Sequence, residues 1–241
     1  MTEIGEGDIE FAWADAWLSV PRFRRYVDAC GGSRERALRL YEWNLDLGAV
    51  LMKDISRFEV ALRNAYDRVM CERVSVEEHW LFDEKSPVVC ELFRRARSGE
   101  MRDANALNRR MIREATPRGT HPVRPESVVA HLPFGFWAHL TDRAHERILW
   151  IPCLRHAWPL GTSRSELDAK IRSINVARNR IAHHERLFAP ADPALEPVVI
   201  DRLLVELFDE LVPEANIYAG AQTPVERFLA GHPYADVVKE A

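Results

Sequence analysis

Only four cysteines occur in the 241 residues, Cys30, Cys71, Cys90 and Cys153, and no two of them form a Cys-x2-Cys pair. That scatter excludes a zinc knuckle and a disulfide framework, and it predicts reduced core thiols in a cytoplasmic protein. Long apolar runs are lacking as well. The longest, around residues 148–154, carries Pro152 and falls far short of the roughly 18 apolar residues a membrane span requires. Residues 2–10 are acidic and have no basic start followed by an apolar stretch, so they do not read as an export signal. Positive charge is not in excess: 33 Lys and Arg stand against 37 Asp and Glu, a net charge of -4. A generally polybasic nucleic-acid binder is thereby excluded, and any RNA contact must be local. Finally, no segment carries a convincing β-hairpin signal, which leaves an all-α fold as the expectation.

What is present fits a soluble helical protein with a self-sufficient core. Hydrophobic residues make up 47% and charged residues 29%, and a chain of this length buries roughly 70% of its unfolded surface without staples. Residues 9–20, rich in Phe11, Trp13 and Trp17, precede Pro21, which suits the first turn of a helix running to the Gly31-Gly32 stop. Ser33 can cap a long helical stretch with Ala37, Leu40, Tyr41, Leu47 and Leu51 on one face, continued by Ile55, Phe58, Leu62, Ala65 and Val69. One long helix and two helices bent near Gly48 fit the pattern equally. Ser86-Pro87 can start a helix through Arg97. Residues 116–125, with Pro117, Gly119, Pro122 and Pro125, form a loop and the best internal boundary. The aromatic segment 132–137 reads as core, 198–211 as an amphipathic helix, and Thr223-Pro224-Val225-Glu226 as a capping box opening a final helix. The organisation is one domain over 1–241: an appendage at 1–32, a core at 33–212, and a last helix and tail at 213–241.

Two clusters invite chemistry and yield little. Residues 94–118 hold eight arginines against Glu100, Asp103 and Glu114. They could track RNA phosphates, but no aromatic residues interleave to stack bases, so a solvated helix face fits slightly better. His131, His139 and His145 show no carboxylate or cysteine set at ligand spacing, and no metal site is expected.

The densest chemistry lies in Arg178-Asn179-Arg180-Ile181-Ala182-His183-His184-Glu185-Arg186. It closes a helix opening at Ser163, where Ser163 and Glu166 have capping-box spacing and Leu167, Ile171, Ile174 and Ile181 form the docking stripe. Asn179 and His183, four apart, share a face, whereas Arg178 and His183 are about 140° apart around the axis. Arg178 must therefore reach, or the helix must end near His183. An arginine, an amide and an imidazole can together hold a phosphate, orient it and move a proton. A helix end bearing cations that favour the negative pole of the dipole is the plainer reading. Upstream, Glu59 and Arg63 sit four apart beside Asn64, at the spacing of a helical ion pair.

Arg178 and Asn179, with four residues between Arg178 and His183, resemble the Arg-polar-x3-His signature of the HEPN superfamily. The wider string through Glu185 is similar to the form found in Abi-like (abortive-infection) proteins. Leu40-Tyr41-Glu42-Trp43-Asn44 and Phe58-Glu59-Val60-Ala61-Leu62-Arg63-Asn64-Ala65 resemble that family's N-terminal helical motifs, and together the segments cover roughly residues 15–210. The resemblance implies a HEPN-like helical bundle with added N-terminal, inserted and C-terminal helices. It implies a metal-independent endoribonuclease without cofactor, acting as a toxin or phage-defence effector that cleaves RNA by 2'-OH attack. His183 would transfer a proton, Arg178 hold the phosphate, and Asn179 orient one or the other. His184 and Glu185 are alternative proton carriers, and Glu59, Arg63 and Asn64 would support the site from a neighbouring helix. A homodimer with a composite cleft and an antitoxin are the implied protein partners. Some HEPN toxins carry a nucleotidylated tyrosine two residues after the histidine; Glu185 stands there, so that control is not expected. A non-catalytic module binding RNA or a protein through the same groove is the alternative.

Overall fold

The structure, a computed structural model, describes residues 11–95, 98–119, 122–218 and 222–230. It is all-α apart from one small hairpin. Two short helices, α1 (Ala12–Leu18) and α2 (Val20–Ala29), meet at Ser19, and Pro21 sits in the first turn of α2. Helix α3 (Arg34–Arg73) is a single helix of 40 residues, opened by the Ser33 hydroxyl accepting from the Arg36 N–H at 3.3 Å. Its buried stripe runs from Ala37 to Met70 without interruption. Gly48 is not a bend. A Cβ there would stand 3.4 Å from the Ile181 Cγ2 and 3.5 Å from the Leu187 Cδ1, so the glycine lets another segment approach closely.

The expected helix from Ser86 through Arg97 does not form. A turn follows Ser86, and strands β1 (Phe93–Arg95) and β2 (Met101–Asp103) pair antiparallel. The missing helical bonds are replaced by side chains from further along the chain. Asp103 Oδ1 accepts from the Leu92 N–H at 2.9 Å, while the Asn105 amide donates to the carbonyls of Pro87 at 2.9 Å and Cys90 at 2.7 Å. Such non-local partners override local helix preference. The basic stretch 94–118 is thus a hairpin and a helix rather than one helix face; Arg97 lies outside the described residues. Arg109 is also drawn inward, pairing with Asp103 and donating to the Val89 carbonyl at 2.9 Å.

Helices α4 (Ala106–Ala115), α5 (Pro125–His131) and α6 (Phe134–His139) follow, then short 3-10 and π turns over residues 143–157. Phe134, Phe136 and Trp137 are core, as expected. Helix α7 (Arg164–Ala182) buries Leu167, Ile171, Ile174 and Ala177, with Ile181 packed at the edge. Its start corrects one expectation: the Ser163 hydroxyl contacts the Ser165 hydroxyl at 3.3 Å and caps no backbone N–H. Helix α8 (Pro197–Leu211) lies along α3, and α9 (Pro224–Ala230) docks against both. At α9 the capping box does form: Glu226 accepts from the Thr223 N–H at 3.0 Å and Thr223 Oγ1 from the Glu226 N–H at 3.3 Å. The core is continuous along α3, which α2, α6, α7, α8 and α9 surround. Of the cysteines, Cys30 and Cys153 are core thiols, whereas Cys71 is exposed and Cys90 half-buried. No described helix is long and apolar enough to cross a membrane.

Candidate functional site

The C-terminus of α7 sets where the polar groups of its motif go. The helix ends at Ala182 with His183 as its cap. The Glu185 N–H donates to the Arg180 carbonyl at 2.8 Å and the His184 N–H to the Ile181 carbonyl at 2.9 Å, the two bonds of a Schellman turn. The left-handed position of that turn usually holds glycine; here it is His184, at φ 53°. Asn44 of α3 fixes the exit, accepting from the Leu187 N–H at 2.8 Å and donating to the Glu185 carbonyl at 3.2 Å. Ending the helix at His183 is one of the two arrangements its angular offset from Arg178 allowed.

Arg178 and Asn179 line a groove of about 500 Å³ together with Asp168, Arg172 and Asn175 of the same helix. Spacings of three and four put them on one α7 face. The opposite side is Pro133, α6 from Phe134 to His139, and Leu107 and Met111 of α4. Arg172 is tied to Asp168 at 2.7 Å, whereas Arg178 makes no salt bridge among the described residues and contacts the Asn179 Oδ1 at 3.5 Å. At the groove's far end His139 Nδ1 stands 3.2 Å from Asp142, whose other oxygen meets the buried His145 Nδ1 at 2.7 Å. Burial pushes the His139 imidazole below its ordinary value against the opposing pull of Asp142. Burial pushes the Asp142 carboxyl up, but the hydrogen bond and charge of His145, with His139, hold it below the carboxylate range. A family profile described as Abi-like protein matches residues 17–189, which takes in the groove and the motif helix. The chain belongs to the Abi-like protein family. No curated protein and no solved structure matches it.

In this Abi-like protein the expected site residues fall in several places. Arg178 and Asn179 are in the groove; His183 is exposed at the helix end and does not line it. His184 and Glu185 line a different cavity, of about 360 Å³, on the side of α2. Glu59 of α3 is half-buried beside the groove helix: burial raises its carboxyl above the ordinary range, and the nearby charges of Arg178 and then Arg63 oppose the rise. Arg63 donates to the Ala130 carbonyl at 3.3 Å, and Asn64 is exposed without a hydrogen bond among the described residues.

Sequence reasoning overlooked Arg172, Asn175 and Asp142, and weighed His139 only as a metal ligand. The first two could have been found by extending the Arg178 face back in steps of three. His139, Asp142 and His145 are themselves three apart, so the carboxylate absent from the expectation was present, and their ligand atoms lie within 4.8 Å of one another. Asp67, Cys71 and His79 form a second such group. In the first group His145 is already engaged on both ring nitrogens, by Asp142 and, at 2.9 Å, by the Asn105 Oδ1. Both nitrogens of the buried ring thus have partners within the chain.

Proposed function

We propose that this Abi-like protein is a metal-independent endoribonuclease of the HEPN superfamily, serving abortive infection as a toxin or phage-defence effector. The observation that supports the reading most is the groove wall: Arg178, which makes no salt bridge among the described residues, stands with Asn179, Asn175 and Arg172 on one helix face of a groove whose far end holds an imidazole. A planar, permanently charged guanidinium suits a phosphodiester and the charge that develops on it.

The reaction proposed is attack of a ribose 2'-oxygen on the adjacent phosphorus with loss of the 5'-oxygen. A base takes the 2'-hydroxyl proton, an acid protonates the departing 5'-oxygen, and the products are a 2',3'-cyclic phosphate and a 5'-hydroxyl. Arg178 holds the phosphate and Asn179 orients it. His183 carries one proton, since imidazole serves as base or acid near neutral pH. His139 in the groove, whose protonation burial disfavours, is the second carrier within one chain. A homodimer facing two α7 ends would supply His183 of the partner copy instead. An antitoxin would restrain the enzyme in the cell.

The test is incubation of purified protein with a mixed RNA pool in excess EDTA, followed by analysis of the new ends. The proposal expects cutting with cyclic-phosphate ends. The exposure of His183 outside the groove favours a second reading, an RNA-binding module that does not cut; RNA bound and left intact would support it.

A further inference from the structure

The cavity of about 360 Å³ between α2 and the end of α7 belongs to no part of the proposed reaction. Arg22 and Arg25, three apart on α2, Arg180 on α7, and Arg186 just beyond it all line this small space. Glu185 is the one carboxylate among the described residues that line it. Two of the arginines are anchored. Arg180 Nε lies 3.5 Å from Glu185 and its guanidinium donates to the Arg186 carbonyl, while Arg186 donates to the Ala189 carbonyl at 3.3 Å and lies 5.2 Å over the Phe188 ring. Arg22 and Arg25 are exposed and make no hydrogen bond or salt bridge among the described residues.

Tyr26 adds an independent observation. It lines the same cavity, is 1% exposed, and its hydroxyl has no hydrogen-bond partner among the described residues. Buried hydroxyls are almost always hydrogen-bonded, so an unpaired one points to a partner from outside the chain. Burial and then Tyr41 push the phenol up to about 12, while Arg22, Arg186 and Arg25, which line the same cavity, oppose the rise. A donor beside a cavity lined by four arginines calls for an acceptor that is an anion.

We infer that this cavity binds a phosphate monoester, the terminal phosphate of a nucleotide or of an RNA end. A dianionic terminal phosphate presents three acceptor oxygens and balances more of the guanidinium charge than a singly charged diester does. Arg22 and Arg25 close on it from α2, Arg180 and Arg186 from the end of α7, and the Tyr26 hydroxyl donates to it. Among the described residues that line the cavity none offers an exposed aromatic face to read a base, so the phosphate is the recognised group. The inference does not rest on the ribonuclease reading, because none of these side chains lines the groove.

Calorimetric titration of the full chain tests it, with inorganic phosphate, adenosine 5'-monophosphate, adenosine, and 2'-O-methyl oligonucleotides with and without a 5'-phosphate as probes. The oligonucleotides cannot be cut through a 2'-oxygen. Expected is saturable binding of the monophosphate and none of adenosine, weakened about tenfold or more in an Arg22→Ala/Arg25→Ala double variant. Tyr26→Phe should weaken it several-fold; should that core variant fail to fold, the exposed arginine pair decides. Preference for the 5'-phosphorylated oligonucleotide would make an RNA end the ligand, and equal or tighter binding of the mononucleotide a free metabolite. No saturable binding of any phosphate probe, or binding that the double variant leaves intact, overturns the inference.

Discussion

Asn44 and Leu187, 143 positions apart in the chain, are joined by a 2.8 Å hydrogen bond from the Leu187 N–H to the Asn44 side-chain oxygen. The same amide donates to the Glu185 carbonyl, so one 2%-exposed side chain of α3 satisfies two backbone groups where the chain leaves α7. Replacing it with alanine takes the partner from the buried Leu187 N–H and from the Glu185 carbonyl. Asn44→Ala should cost about 2–4 kcal/mol in denaturant unfolding, more than a mere surface contact would. Asn44→Asp keeps the acceptor and should cost less. Equal stability of Asn44→Ala and wild type would mean this clamp is not formed.

His184 occupies a backbone conformation that costs a side chain roughly 1–2 kcal/mol. His184→Gly relieves it and should raise the melting temperature by a few degrees. A melting temperature that falls would show that the imidazole's own contacts outweigh the strain.

Glu59 is a neighbour of Arg178 whose carboxyl burial raises. Native structure therefore disfavours its charge, and the associated loss of stability grows as pH climbs past the ordinary carboxyl value of 4.5. Glu59→Gln should accordingly melt no lower than wild type near neutral pH. In Arg178→Ala the carboxyl should titrate still higher, because an attracting charge is gone; NMR titration of the Glu59 side chain checks this. An unmoved titration would separate the two residues.

His139 works in the opposite direction. Its native imidazole binds a proton less readily than the unfolded one, so stability is full above the ordinary value of 6.5 and declines as pH falls below it. His139→Gln, whose amide can still donate to the Ala104 carbonyl, should flatten that decline in melts between about pH 7 and 5. The depressed Asp142 carboxyl acts in a lower window, with stability lost as pH drops below 3.8. An unchanged slope in the glutamine variant above pH 5 would place the acid sensitivity elsewhere.

The features legible in the sequence are those written locally. The α3 stripe, the proline entry to α2, the α9 capping box and the end of α7 near His183 all follow from spacing within one or two turns. The hairpin at Phe93–Asp103 was not legible, because the side chains that replace its helix bonds, Asp103 and Asn105, act from ten or more positions away. The candidate site was legible in part. Arg178 and Asn179 do line a groove, but adjacency in sequence says nothing of the Schellman turn that sends His184 and Glu185 to the other side of α7. Nor does it show that α6 and the turn after it bring His139 and Asp142 to the same groove, which is a matter of how two helices pack.

The central claim is tested most directly by cleavage of one RNA pool in excess EDTA by wild type, Arg178→Ala and His183→Ala, each shown by thermal melting to be equally folded. The account predicts cyclic-phosphate ends from wild type and rates lower by about a hundredfold or more in both variants. Cutting by His183→Ala at the wild-type rate, or no cutting by a folded wild type on that pool, would contradict it.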